Sequence, residues 1–178
     1  MLAFAKLRLR NALQIQPIRD ALTGLYTRRY MDELLKRQVR GAARSQRPFA
    51  LIFFDLDNFQ HFNGTHGHVA GDAVLRELGK FFRNHVQPGD TPCRIAGDEI
   101  VLILPDASME AAVLRAQQLE EEFAKLRFPY EGENLQPPAF TTGVAAYPDS
   151  GSTGESLLHV AEEAMYEAKS HGRVRLLL

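Results

Sequence analysis

Cysteine is almost missing from this chain. Cys93 is the only one in 178 residues, so no internal disulfide can form, and the expected compartment is the cytoplasm. A charge excess is missing too: 21 Lys+Arg stand against 22 Asp+Glu, a formal net −1. That argues against nucleic acid as a partner, because duplex-binding modules carry a basic excess. A phosphate-bearing small molecule stays open, since a few cations can be gathered locally. No apolar run approaches the roughly 20 residues that span a bilayer, so this segment is expected not to insert into a membrane. No G-x-x-x-x-G-K-[ST] occurs, which excludes a P-loop. Internal repeats and low-complexity tracts are absent as well.

What is present is a hydrophobic fraction of 45%, enough for one ordinary core, over a length that fits one domain with a short appendage. Residues 1–16 mix Leu2, Phe4, Leu7, Leu9, Leu13 and Ile15 with Lys6, Arg8 and Arg10, too charged for a signal-peptide core. Residues 1–19 therefore read as a helical lead-in or linker, and 20–178 as the domain.

Residues 20–25 are turn-rich, and Met31, Leu34, Leu35, Val39 and Ala42 then fall on one helical face. Residues 49–55 (FALIFFD) form a continuous apolar run, as expected of a strand buried on both faces, and end abruptly in acid. A polar passage rich in Gly and His spans 57–71 and reads as a loop. Val74, Leu78, Phe81 and Phe82 predict a helix after it. Residues 91–95 and 100–104 flank a tight Ala96-Gly97-Asp98-Glu99 centre, the pattern of a β-hairpin. The spacing predicts a further helix over 109–126, a strand over 139–147, and a last helix through Leu157, Ala161, Met165 and Ala168 that stops at Gly172. Residues 174–178 read as a closing strand. The order implies an α/β fold, a mixed central sheet flanked by helices around a βαββαβ, ferredoxin-like core.

Acids at two places could serve chemistry. Asp55-Leu56-Asp57 sits at the carboxyl end of a buried strand, where α/β sheets place ligands, and Asp98-Glu99 sits at the hairpin tip. Were the two strands neighbours, Asp55 and Asp98 would converge, and such a cluster is stable chiefly with a hard cation such as magnesium or manganese. Strand ends and turns also favour aspartate on backbone grounds alone, so spacing leaves both readings open. Asn63 and Asp72 are compatible with a capped loop before a helix, or with an amide and a carboxylate gripping a guanine edge. His66 and His68 lack the spacing of a metal site and read as structural. Lys169 and Arg173, at the end of the last helix, suit its dipole or the oxygens of a triphosphate.

In this order the blocks resemble the GGDEF family of diguanylate cyclases. Asp20-Ala21-Leu22-Thr23-Gly24-Leu25 with Arg28-Arg29 is similar to the family's D-x-L-T-G-L opening. The block FFDLDNFQHFN at 53–63 resembles D-x-D-x-F-K-x-x-N. Gly67-His68-Val69-Ala70-Gly71-Asp72 matches G-H-x-x-G-D. Arg94-Ile95-Ala96-Gly97-Asp98-Glu99-Ile100 stands where R-x-G-G-D-E-F belongs, Thr142-Gly143-Val144-Ala145 resembles the later strand, and Ala164 through Lys169 to Gly172-Arg173 resembles the family's close. The resemblance covers roughly residues 20–175, and each motif falls in the strand, turn or helix context it needs. It implies a nucleotidyl cyclase-like fold that condenses two GTP into cyclic di-GMP at the interface of a homodimer, with a sensor domain upstream. Asp55, the Leu56 carbonyl and Asp98 would hold magnesium, with Glu99 as a further catalytic acid. Asn63 and Asp72 would recognise guanine. Lys169, Arg173 and the main-chain N–H groups of Asn58, Phe59 and Gln60 would hold the triphosphate.

The departures define an alternative. Ala96 replaces the first signature glycine, Ile100 the phenylalanine, Gln60 a lysine and Gly64 a common aspartate. A domain that binds GTP or a partner without turnover is the corresponding rival. The family's inhibitory R-x-x-D is represented by Gln87-Pro88-Gly89-Asp90, so product inhibition through that place is expected to be absent.

Overall fold

A computed structural model describes residues 17–171; the expectations for the lead-in at 1–16, for Arg173 and for a strand at 174–178 lie outside them. The opening turn leads into a short strand, β1 (Tyr26–Thr27), and a helix, α1 (Arg28–Ser45). Gln46, in the left-handed region at φ 57°, closes α1 with its N–H on the Ala42 carbonyl. The apolar run forms β2 (Phe49–Leu56), one residue longer than its pattern predicts.

The passage read as a loop is helical. It forms α2 (Phe59–His66) and the start of α3 (His68–His85), separated only by Gly67 at φ 85°. Gly64 and the histidines weaken local helix propensity, but Phe59, Phe62 and His66 stack along one side, with Phe62 and His66 centroids 4.5 Å apart. Phe59 and Phe62 also pack against the core. Tertiary contact thus outweighs propensity, and Asp72 lies one turn inside α3 rather than at its start.

The hairpin follows as β3 (Thr91–Ala96) and β4 (Glu99–Pro105), then α4 (Met109–Ala124), whose Ser108 side chain caps it by accepting from Ala111 N–H at 3.2 Å. A small hairpin of β5 (Phe128–Tyr130) and β6 (Glu133–Leu135) turns on Glu131 and Gly132, both at positive φ. Its strands are three residues long and one contains Pro129, so neither periodicity nor propensity marked it. The long strand β7 (Phe140–Tyr147) and the helix α5 (Gly154–His171) complete the described chain.

The five-stranded sheet has the order β1-β3-β4-β2-β7, parallel at β1/β3 and antiparallel elsewhere. Within it β2-α3-β3-β4-α4-β7 is the expected βαββαβ unit. Strand parity sorts the side chains into two cores. Ala50, Ile52, Phe54, Ile100 and Leu102 meet α3 and α4 on one face. Phe49, Leu51, Phe53, Val101 and Ile103 meet Met31 and Leu35 of α1 and Leu157, Ala161 and Met165 of α5 on the other. Being covered on both faces explains why β2 reads as an unbroken apolar run rather than an alternation.

Gly143 sets how closely α5 approaches the sheet. A Cβ there would overlap the Ala161 carbonyl oxygen and the Met165 backbone nitrogen, and would lie 3.0 Å from Met165 Cα. All three are backbone atoms and cannot be displaced by a rotamer change. Gly143→Ala is therefore expected to destabilise the domain by about 3 kcal/mol, read as a lower denaturation midpoint in urea; an unchanged midpoint would contradict this packing.

Candidate active site

The site grows from strand register. β2 and β4 pair so that Asp55 stands opposite Glu99, directly after Phe54 opposite Ile100. Counting by two along each strand, Asp55 continues the Phe49, Leu51, Phe53 face, and Glu99 the Val101, Ile103 face. Both acids therefore emerge on the α1/α5 side, at the end of the sheet. Asp98 in the hairpin tip joins them, close enough to feel the Asp55 charge and the Leu56 main-chain N–H. The convergence left open by spacing is thus present.

Crowding these acids has an electrostatic cost. Burial first, and then the Asp55 charge, raise Asp98 above its ordinary carboxylate range. Burial, Asp55, Glu162 and Asp98 together raise Glu99, while Arg28 at the head of α1 pulls it back. Compensation comes from α5. Its sheet-facing residues Leu157, Ala161 and Met165 are spaced by four and completely buried; the next in that series is Lys169. Its ammonium donates to Asp55 and to the Leu56 carbonyl, the latter at 3.3 Å, and lies 3.6 Å from Asp57 Oδ1. Asp57 is held in turn by Thr141, whose hydroxyl donates to it at 2.7 Å.

Lys169 also tests whether the donors suit a divalent cation. The Asp55 carboxylate and the Leu56 carbonyl already converge on one cationic atom, and both are hard oxygen donors. Among the described residues no group of three or more His, Cys, Asp and Glu could enclose an ion unaided. These oxygens are of the kind a hard divalent cation takes, one that keeps several waters and adds phosphate oxygens to one or two carboxylates.

Of the other expected residues within the described chain, Asn58, Phe59 and Gln60 follow directly on this strand end, and Asn63 and Asp72 lie on the two helices after it. Asn58 sits in the left-handed region at φ 54°, turning the chain from β2 into α2. A left-handed residue followed by helical ones points successive N–H groups into a shared concavity suited to anions, and Phe59 and Gln60 follow it. Asn63 on α2 has a buried Oδ1 that accepts no hydrogen bond, and Asp72 is exposed on α3. Farther off, Gln87 and Asp90 close a small turn on each other, Gln87 N–H donating to Asp90 Oδ2 at 3.0 Å and Asp90 N–H to the Gln87 carbonyl at 3.0 Å.

The sequence model of the family described as "Diguanylate cyclase, GGDEF domain" matches residues 18–175. The chain belongs to the GGDEF family. Over 157 residues this GGDEF domain is 36% identical to response regulator PleD of Caulobacter vibrioides, covering 88% of this chain and 35% of that protein. It is 31% identical over 160 residues to diguanylate cyclase DosC of Escherichia coli, covering 89% of this chain and 34% of that one. The chain thus spans about a third of the length of these relatives. A solved sensory box/GGDEF family protein from Caulobacter crescentus superposes with a TM-score of 0.80 at 34% identity, covering 88% of this chain and 100% of that one.

Two supporting residues escaped the sequence reading. Arg94 donates through Nε to the Gly97 carbonyl at 2.8 Å and through Nη1 to Asp20 Oδ1 at 3.0 Å. Asp20 Oδ1 also accepts from Thr23 N–H and Oγ1 at 2.8 and 2.7 Å. This chain of bonds ties the tip that carries Asp98 and Glu99 to the opening turn. Both residues lie inside quoted motifs, but their partnership spans 74 residues and leaves no local pattern.

Burial works to raise the Asp20 pKa, yet the Thr23 hydrogen bonds and Arg94 outweigh it, and the net value falls below 3.8. A depressed carboxylate contributes stability that is present above its unfolded pKa and lost as pH falls through the folded one. Asp20→Asn is therefore expected to cost about 1–2 kcal/mol near neutrality, with the difference from wild type shrinking as pH drops below about 4. A pH series of urea denaturations reads this; a difference that persists unchanged at pH 2 would contradict it.

Proposed function

We propose that this domain is a diguanylate cyclase, condensing two GTP into cyclic di-GMP and two pyrophosphates across a homodimer of such domains. The observation that carries the reading is the pairing of Asp55 with Glu99 beside Asp98, on a face that also presents Lys169. Each 3′-hydroxyl attacks the α-phosphorus of the other GTP; the hydroxyl proton is lost and the bond to pyrophosphate breaks. One domain holds one GTP, so two domains must face each other for both bonds to form.

Asp55, the Leu56 carbonyl and Asp98 would hold a magnesium ion. When bound it would acidify the attacking hydroxyl and offset charge at the α-phosphate. Glu99 stands beside that position and, with its raised pKa, is suited to take up a proton. The N–H groups after Asn58, with Lys169 and Arg173, would hold the triphosphate; Asn63 and Asp72 would grip guanine. Held this way, the reactants gain chiefly from orientation and electrostatic stabilisation. The domain works in the cytoplasm, where GTP is supplied, and an upstream sensor domain would govern how two copies meet.

The altered signature does not stand against turnover. Ala96 does not occupy the positive-φ region that would require glycine; Gly97 does, at φ 34°. Ile100 is completely buried between the sheet and α3/α4, as a packing residue should be. Gln60, exposed where relatives of this pattern carry lysine, is the observation that favours the rival reading, a domain that binds GTP to regulate a partner without converting it.

The test is product formation from GTP and magnesium at high protein concentration, resolved by mass spectrometry. Wild type is expected to yield cyclic di-GMP, and Glu99→Gln to lose about 100-fold or more of that rate. Because Glu99 has a raised pKa, its charge works against folding above that pKa, so the variant is expected to be at least as stable as wild type at pH 7 and to match it in acid. GTP binding with no product, even in a dimer enforced by fusion, would select the regulatory reading.

A further inference from the structure

We propose that Gly71 sets the base preference of the site by locking the Asn63 amide with its oxygen inward and its NH2 outward. The proposal rests on the reading of Asn63 and Asp72 as the guanine contacts and deepens it.

Gly71 is buried inside α3, where glycine is less favourable than alanine, and positive φ does not account for it. A neighbouring side chain does. A Cβ at position 71 would fall inside the Asn63 Oδ1 atom, 2.9 Å from its Cγ and 3.3 Å from its Nδ2. The amide therefore lies against the bare Cα of Gly71 with the oxygen innermost. That oxygen is enclosed and meets no N–H or O–H donor; what faces it is the Gly71 Cα–H, a weak donor. Reversing the amide would press two N–H groups against that C–H and bury them unpaired, the costlier arrangement. The outward end is then Nδ2, which is not enclosed and donates to no protein group. One residue along from Gly71 on the same helix, Asp72 supplies an exposed acceptor.

A donor held in this orientation, with the Asp72 carboxylate as acceptor, complements the edge of guanine, whose carbonyl accepts while its ring N–H and amino groups donate. Adenine offers the reverse, an amino donor beside a ring-nitrogen acceptor, and is refused by the same pair. Asn63 could satisfy either base if its amide were free to turn, and Gly71 removes that freedom. Gly71 acts through Asn63 and is a positioning residue.

The experiment is calorimetric binding of GTP and of ATP, with magnesium, to wild type, Gly71→Ala, Asn63→Ala and the double variant. Wild type is expected to prefer GTP. Gly71→Ala is expected to weaken GTP binding about tenfold, leave ATP nearly unchanged and keep its melting temperature, because alanine suits the helix. In the Asn63→Ala background, which relieves the overlap and should fold even where the single variant does not, Gly71→Ala is expected to change GTP affinity less than about twofold. An unchanged GTP/ATP ratio in folded Gly71→Ala, or the same loss in the Asn63→Ala background, would overturn the role given to Gly71. Wild type that binds no GTP would overturn the underlying guanine reading, and this proposal with it.

Discussion

Like charge held at the end of an apolar sheet is the constraint on which the rest of the molecule turns. The register that buries Phe54 opposite Ile100 brings Asp55 opposite Glu99, with Asp98 close enough to feel the Asp55 charge. Three acids in partial burial are unfavourable unless a cation joins them. Within the described chain the Lys169 ammonium does so at Asp55 and the Leu56 carbonyl, while Arg28 acts on Glu99. The arrangement favours any ligand that carries positive charge to the carboxylates and negative charge to the lysine, as a magnesium nucleotide does.

Much of the surrounding architecture serves to keep that cluster in place. Lys169 reaches the sheet end because α5 lies close to β7, and it lies close because position 143 carries no side chain. The hairpin tip is anchored from the other side by Arg94, which links the Gly97 carbonyl to Asp20. Such charged hydrogen bonds, partly shielded from solvent, hold geometry more effectively than exposed ion pairs like Lys36–Glu33. Apolar burial on both sheet faces supplies the stability, and these few polar links supply the aim.

The sequence conveyed the strands and the longer helices well because each is long enough to show a pattern: the run 49–55, the hairpin around Asp98, and the helix stripes through Phe82, Phe123 and Met165. It misled at 57–71, where glycine and histidine composition pointed to a loop and aromatic stacking on the core made two helices. The β5/β6 hairpin was too short to register. Within the site, Asp55, Asp98 and Glu99 were legible because acids that directly adjoin apolar strands stand out. Lys169 was legible as a cation, but its carboxylate partner Asp55 comes from 114 residues earlier. The Asp20–Arg94 link and the fit of Asn63 against Gly71 are likewise contacts between distant or unlike elements. Local pattern carries no information about them.

The most direct test of the account is GTP binding measured by calorimetry with and without magnesium, in wild type and in Asp55→Asn. If Asp55 and its neighbours form a cation site shared with the triphosphate, wild type binds GTP markedly more tightly with magnesium, and Asp55→Asn loses most of that difference. Equal affinity with and without magnesium in both proteins would contradict the central claim that these acids exist to hold a metal-bound nucleotide.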